Sequence, residues 1–158
     1  MWFFMILCYL MTALTFLMLL GNGLQGYFRF AILGAHHATF AVLTIIFYLF
    51  TESLIIFYFV GIGVSIKDFV AGNQLSADFH KRSIAVKRKV YPPILLNMLF
   101  VMVLFISGGA VDTHRLSGFW HGLLFFVAFI HFIKVICVEH WAFKESTAIV
   151  LAMSGVKQ

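Results

Sequence analysis

The sequence predicts an all-α integral membrane protein, a four-helix up-down bundle formed by a single domain over residues 1–158, with both termini on the cytoplasmic side. Three observations carry that expectation. Hydrophobic residues make up 63% of the chain and charged residues 11%, against about half and about a quarter in soluble domains. A globule this small has too much surface for its volume to hide the excess, so lipid is the solvent that accommodates it. The apolar residues gather into four runs of membrane-crossing scale, and five bases lie together between the second run and the third.

The first helix is expected over 2–20, a stretch without a single charge. Its nineteen residues at about 1.5 Å each match a hydrocarbon core of about 30 Å. No Lys or Arg precedes Arg29, so the segment lacks the basic region of a signal peptide and reads as a retained membrane helix. Gly21-Asn22-Gly23 is expected to break it, with Gln25, Gly26 and Arg29 in a short connection. The second helix, over 37–60, is interrupted only by Glu52 and a few hydroxyl residues. A polar basic loop, 71–90, follows, in which Ser76 is a candidate N-cap with Asp78 in the first turn of a short surface helix. Tyr91-Pro92-Pro93 opens the third helix, 93–107, since proline suits a first turn where its missing N–H costs nothing. Gly108-Gly109 closes it. The fourth helix is expected over 119–138, and a cytoplasmic tail with Glu139, His140, Lys144 and Glu145 completes the chain.

Lys81, Arg82, Lys87, Arg88 and Lys89 set the orientation. Loops this basic stay cytoplasmic, and can also touch anionic headgroups. Lys67, Lys144 and Lys157 then fall on the same inner side, and Arg29 and Arg115 on the outer. The formal net charge of +5 is therefore a topology signal. No aromatic platform or recognition helix accompanies it, which argues against nucleic acid. Cys8 and Cys137 lie inside apolar runs and read as small hydrophobes, not as a disulfide framework.

Seven histidines stand out in so apolar a chain. His36 and His37 lie at the outer start of the second helix, His114 in the outer turn, and His121 at the outer start of the fourth helix. Neutral imidazole is a common ligand for transition metals. A haem b held between two helices needs one histidine from each at equal depth, which His37 and His121 supply. His36 and His114 are candidate alternative ligands or supporting groups. Arg29 and Arg115 share this face and could donate charge-assisted hydrogen bonds to haem propionates. The plainer reading of each boundary histidine is a polar end-group pointing at headgroups and water. No HExxH, HxxxH or Cys/His zinc pattern is present.

Glu52 and His131 lie deeper, about 22 Å and about 15 Å below the outer histidines at helical rise. An ionisable group at that depth usually faces the bundle interior and serves a function. Glu52 stands about 60° around its helix from His37, and His131 about 80° from His121, so each pair shares a broad face. A proton-carrying column or a quinone pocket would use them; the plainer alternative is a protonated Glu52 bonded to a hydroxyl. Gly61-Ile62-Gly63 lacks the strand and fingerprint of a dinucleotide site and is expected to allow close helix approach. Asp112, His114 and Ser117 show no nucleophile elbow or oxyanion hole.

The sequence thus points to a small membrane subunit that binds haem b or a His-ligated transition metal near the outer face and transfers electrons within a larger redox assembly. Its expected surroundings are membrane lipids and other membrane subunits or further copies of itself. Its expected setting is a bacterial inner membrane or an equivalent energy-transducing membrane. The rival readings are a non-catalytic structural subunit and a small ion or solute carrier using Glu52. The sequence commits to no enzymatic reaction.

Overall fold

The computed structural model describes residues 2–155; Lys157 falls outside them. The chain is all-α. Its helices are α1 (Trp2–Phe28), α2 (His37–Gly72), α3 (Asp78–Asp112) and α4 (Gly118–Met153). All four are long and apolar enough to cross a membrane. Their surfaces fit that solvent: Phe3, Leu10, Leu17, Ile46, Phe57, Ile106 and Ile130 are all more than half exposed. In water such a surface would aggregate.

The helices outrun the apolar segments. α1 passes straight through Gly21-Asn22-Gly23, because these residues are used for close packing and not for a turn. A Cβ on Gly23 would land on the Phe125 ring of α4. Two residues further on, the buried Gln25 amide donates to the Ala35 carbonyl at 2.6 Å, tying the helix end to the next connection. Arg29 then turns the chain with φ of 54°, an αL conformation common just past a helix end.

The basic segment 71–90 is mostly helix and not loop. Only residues 73–77 connect α2 to α3, with the Asp78 N–H donating to Ser76 Oγ at 3.3 Å. Ser83, Val86, Val90, Ile94, Asn97 and Val101 form one buried stripe along α3. Its helical period continues through Pro92 and Pro93, so packing holds the helix together across the two missing N–H groups. α4 likewise continues to Met153, and Glu139 belongs to its buried stripe of Ala128, Phe132, Val135, Glu139, Phe143 and Ser146. The expected cytoplasmic tail is therefore helix from its first residue. A charged residue ended the apolar run in sequence, whereas the run of inward-facing positions did not end there.

α3 and α4 pack most extensively, and α2 lies against both α1 and α3. Tyr48 of α2 meets Phe132 of α4 edge to face, with ring centres 5.5 Å apart, and Phe59 stacks on Phe143 at 5.1 Å. Gly63 gives the close approach expected of the Gly61-Ile62-Gly63 segment: the Lys87 side chain and Ser83 Oγ of α3 lie over it. Cys8 is buried, whereas Cys137 is exposed on the apolar surface, so only Cys8 fits the expectation of a small core residue.

Candidate cofactor site

The first residue of α2 and the fourth of α4 bring His37 and His121 together. Their ring centres are 6.3 Å apart and their planes are inclined at 82°. Both flank a cavity of about 920 Å³ to which all four helices contribute. Glycine makes the room. Gly26 of α1 faces the His37 ring, and Gly108 of α3 faces the His121 ring; a Cβ would stand 3.1 Å and 3.4 Å from them. Gly122 seats the Tyr27 hydroxyl in the same way.

Hydrogen bonding fixes the His121 tautomer. Ser107 Oγ donates its one hydrogen to the Leu104 carbonyl at 2.7 Å, and lies 2.8 Å from His121 Nδ1. With the serine hydrogen committed, Nδ1 must be the donor, which leaves Nε2 with its lone pair free to ligate. A hydrogen-bonded partner on the non-ligating nitrogen is what orients ligand histidines in known metal sites. His37 differs: its Nδ1 is buried and has no hydrogen-bond partner.

The other outer residues separate. Arg29 is exposed and lines the cavity. Arg115 and His114 are exposed in the α3–α4 connection and are not among its lining residues. His36 is the exposed N-cap residue of α2, without a side-chain capping bond. Asp112, the last residue of α3, lines the cavity instead. Among the described residues no group of three or more His, Cys, Asp or Glu side chains could hold a metal ion.

Deeper in the bundle, Glu52 is fully buried. Its carboxyl neighbours that of Glu139 on α4, with no direct hydrogen bond between them; Glu139 is 2% exposed. His131 pairs elsewhere: its Nδ1 lies 2.9 Å from Asn97 Oδ1, and Asn97 Nδ2 donates to Tyr48 Oη at 2.8 Å. Tyr48 is one turn from Glu52, so the His131–Asn97–Tyr48 chain ends just above the carboxyl pair. Thr15 and Thr51 join α1 to α2 at 2.8 Å beside it. Sequence reasoning missed Glu139, Asn97 and Ser107. The signal for Glu139 was its eleven-residue spacing from Ala128, three helical turns along one face.

No family model, curated protein or solved structure matches the chain.

Proposed function

We propose that this protein is a small membrane subunit that holds haem b between His37 and His121 and transfers electrons within a larger redox assembly. The separation of the two rings carries this reading. The rings of His37 and His121 stand 6.3 Å apart, a gap that would accommodate one metal ion bonded at about 2.0–2.1 Å to a nitrogen of each ring. The cavity of about 920 Å³ is at the upper end of ordinary ligand sites, which run to about 1,000 Å³, and suits a macrocycle. The donor set favours haem over a bare ion. Zinc and similar ions take three or four protein ligands, whereas haem carries nitrogen ligands of its own and would need only His37 and His121 from the protein.

When bound, haem supplies reversible one-electron chemistry. This chain's residues do the rest. His121 presents a fixed lone pair, His37 an imidazole with an unsatisfied buried nitrogen, and the glycines leave space. Arg29 lines the cavity and would pair with a propionate; Arg115 and the alternative ligands His36 and His114 would have to move to take part. Glu52 and His131 handle protons or a quinone below the cofactor. The reading includes an up-down arrangement with the basic helix ends and both termini cytoplasmic, in a bacterial inner membrane or its energy-transducing equivalent. Other membrane subunits or further copies of the chain cover its apolar faces.

An absorption spectrum of the full chain, purified in mild detergent and recorded oxidised and dithionite-reduced, tests the reading. A bis-histidine haem spectrum is expected, and its loss in His37→Ala and His121→Ala proteins that keep their helical content. Protein that carries neither haem nor a transition metal would favour the structural-subunit reading.

A further inference from the structure

Between two cavities of the molecule lies a layer of buried polar groups. The histidine-lined cavity reaches down α2 as far as Thr44 and Ile45. A second cavity, of about 510 Å³, begins at Leu54 and Tyr58 and runs between α2, Phe4 of α1 and the end of α4. Tyr48, Thr51 and Glu52 occupy the gap, with Glu139 against Glu52 from α4.

Four oxygens around this gap are buried without any hydrogen-bond partner: both of Glu52, Oε1 of Glu139, and Oγ1 of Thr12. Thr12 is 7% exposed and belongs to the buried stripe Cys8–Thr12–Thr15 of α1. Thr15 is bonded to Thr51, the neighbour of Glu52, and Cys8 lies near Glu139. Thr12 sits between them on the same buried face, with its hydroxyl unpartnered. Below it, the Tyr58 hydroxyl is likewise buried without a partner and lines the second cavity. The titratable groups facing the carboxyls are Cys8 and Tyr9 from α1 and Tyr48 from α2; α3 contributes Asn97, which is neutral. No cation is paired with either carboxyl among the described residues.

We infer that Glu52 and Glu139 form a proton-binding site, in which the two carboxyls hold exchangeable protons between the upper and lower cavities. Two neighbouring negative charges, shielded from water and with no cation paired to either, are too costly to stand together. A proton from water at a cavity mouth neutralises a carboxylate oxygen and returns to water when it leaves; no other bond changes. Thr12 and Tyr58 offer hydroxyls that can accept or donate along the way. The site needs the membrane setting but not haem.

Infrared spectroscopy of the full chain in lipid nanodiscs tests this. The remaining four acids absorb differently, since Asp68, Asp78 and Asp112 are exposed and Glu145 is ion-paired with Arg82. At neutral pH we expect the carbonyl stretch of protonated carboxyls in apolar surroundings, moving to lower frequency when H2O is replaced by D2O. Glu52→Gln and Glu139→Gln should each remove one component. His37→Ala protein should keep both components, so a failed haem assignment leaves this one standing. Absence of the band at neutral pH would overturn the inference, as would a band indifferent to D2O. Loss of the band when NaCl replaces choline chloride would also overturn it, by making the site one for a metal cation.

Discussion

Ser107 shows how much of the proposed cofactor site rests on single atoms. Its hydroxyl hydrogen is committed to the Leu104 carbonyl, so His121 has one available tautomer. Removing such an outer partner commonly weakens metal affinity about 10–100-fold. Ser107→Ala protein should therefore lose haem more readily on dilution than the parent, and an apohaemoprotein competition assay would read the difference. Unchanged retention would show that the serine does not orient the ligand. Gly23 makes the complementary point about space. Gly23→Val would drive a branched side chain into the Phe125 ring, and overpacking of this kind costs about 1–3 kcal/mol. Thermal unfolding in detergent should register the loss. A single glycine next to Asn22 looks like a turn in sequence; only the facing phenylalanine reveals it as a packing position.

At the scale of elements, the four helices were legible because hydropathy reports directly on solvent. Their ends were not. Pro92-Pro93 is a local start signal and Glu139 a local stop signal, and both are overridden by stripes of inward-facing residues that continue through them. Helix propensity and charge are weak beside packing once a face is buried. The same limit explains the site: His37 and His121 could be placed at one depth by counting, but the pairing of Glu52 with Glu139 instead of His131 depends on how helices rotate against each other. Asn97 illustrates the interhelical bonds that result, since it joins α2, α3 and α4 through Tyr48 and His131. Asn97→Leu should strand the buried Tyr48 hydroxyl, free the half-buried His131 ring, and destabilise the protein by about 1–3 kcal/mol, and the denaturant midpoint of reconstituted protein would show it. By contrast, Arg82 and Glu145 join α3 to α4 at 2.6 Å with side chains 47% and 31% exposed. Exposed pairs contribute about 0–1 kcal/mol, so Arg82→Ala should shift that midpoint little, and less still at high salt.

The whole molecule is longer than the membrane it is suited to. α2 has 36 residues, about 54 Å at helical rise, against a hydrocarbon core of about 30 Å. The surplus lies at the end bearing Lys81, Arg82, Lys87, Arg88 and Lys89, so this end should project into water as a basic helical collar. Lys89 already leans on a ring there, its Nζ 3.8 Å from the centre of Trp141. Replacing Lys87 and Thr113 by cysteine, one at a time in a background lacking Cys137, should give labelling from opposite faces of sealed vesicles. Labelling of both from one face would refute the up-down arrangement.

This uneven overhang also places the carboxyl pair. Aligning the bilayer with the apolar runs puts Glu52 about 22 Å and Glu139 about 27 Å from the histidine end, close to the far boundary. A charge arriving there from the histidine side would have crossed most of the transmembrane voltage, worth about 2.3 kcal/mol per elementary charge per 100 mV for the full drop. If the pair binds protons as proposed, its occupancy from that side would be set by membrane potential as much as by proton concentration, and an energised membrane would load or empty it without any change of pH.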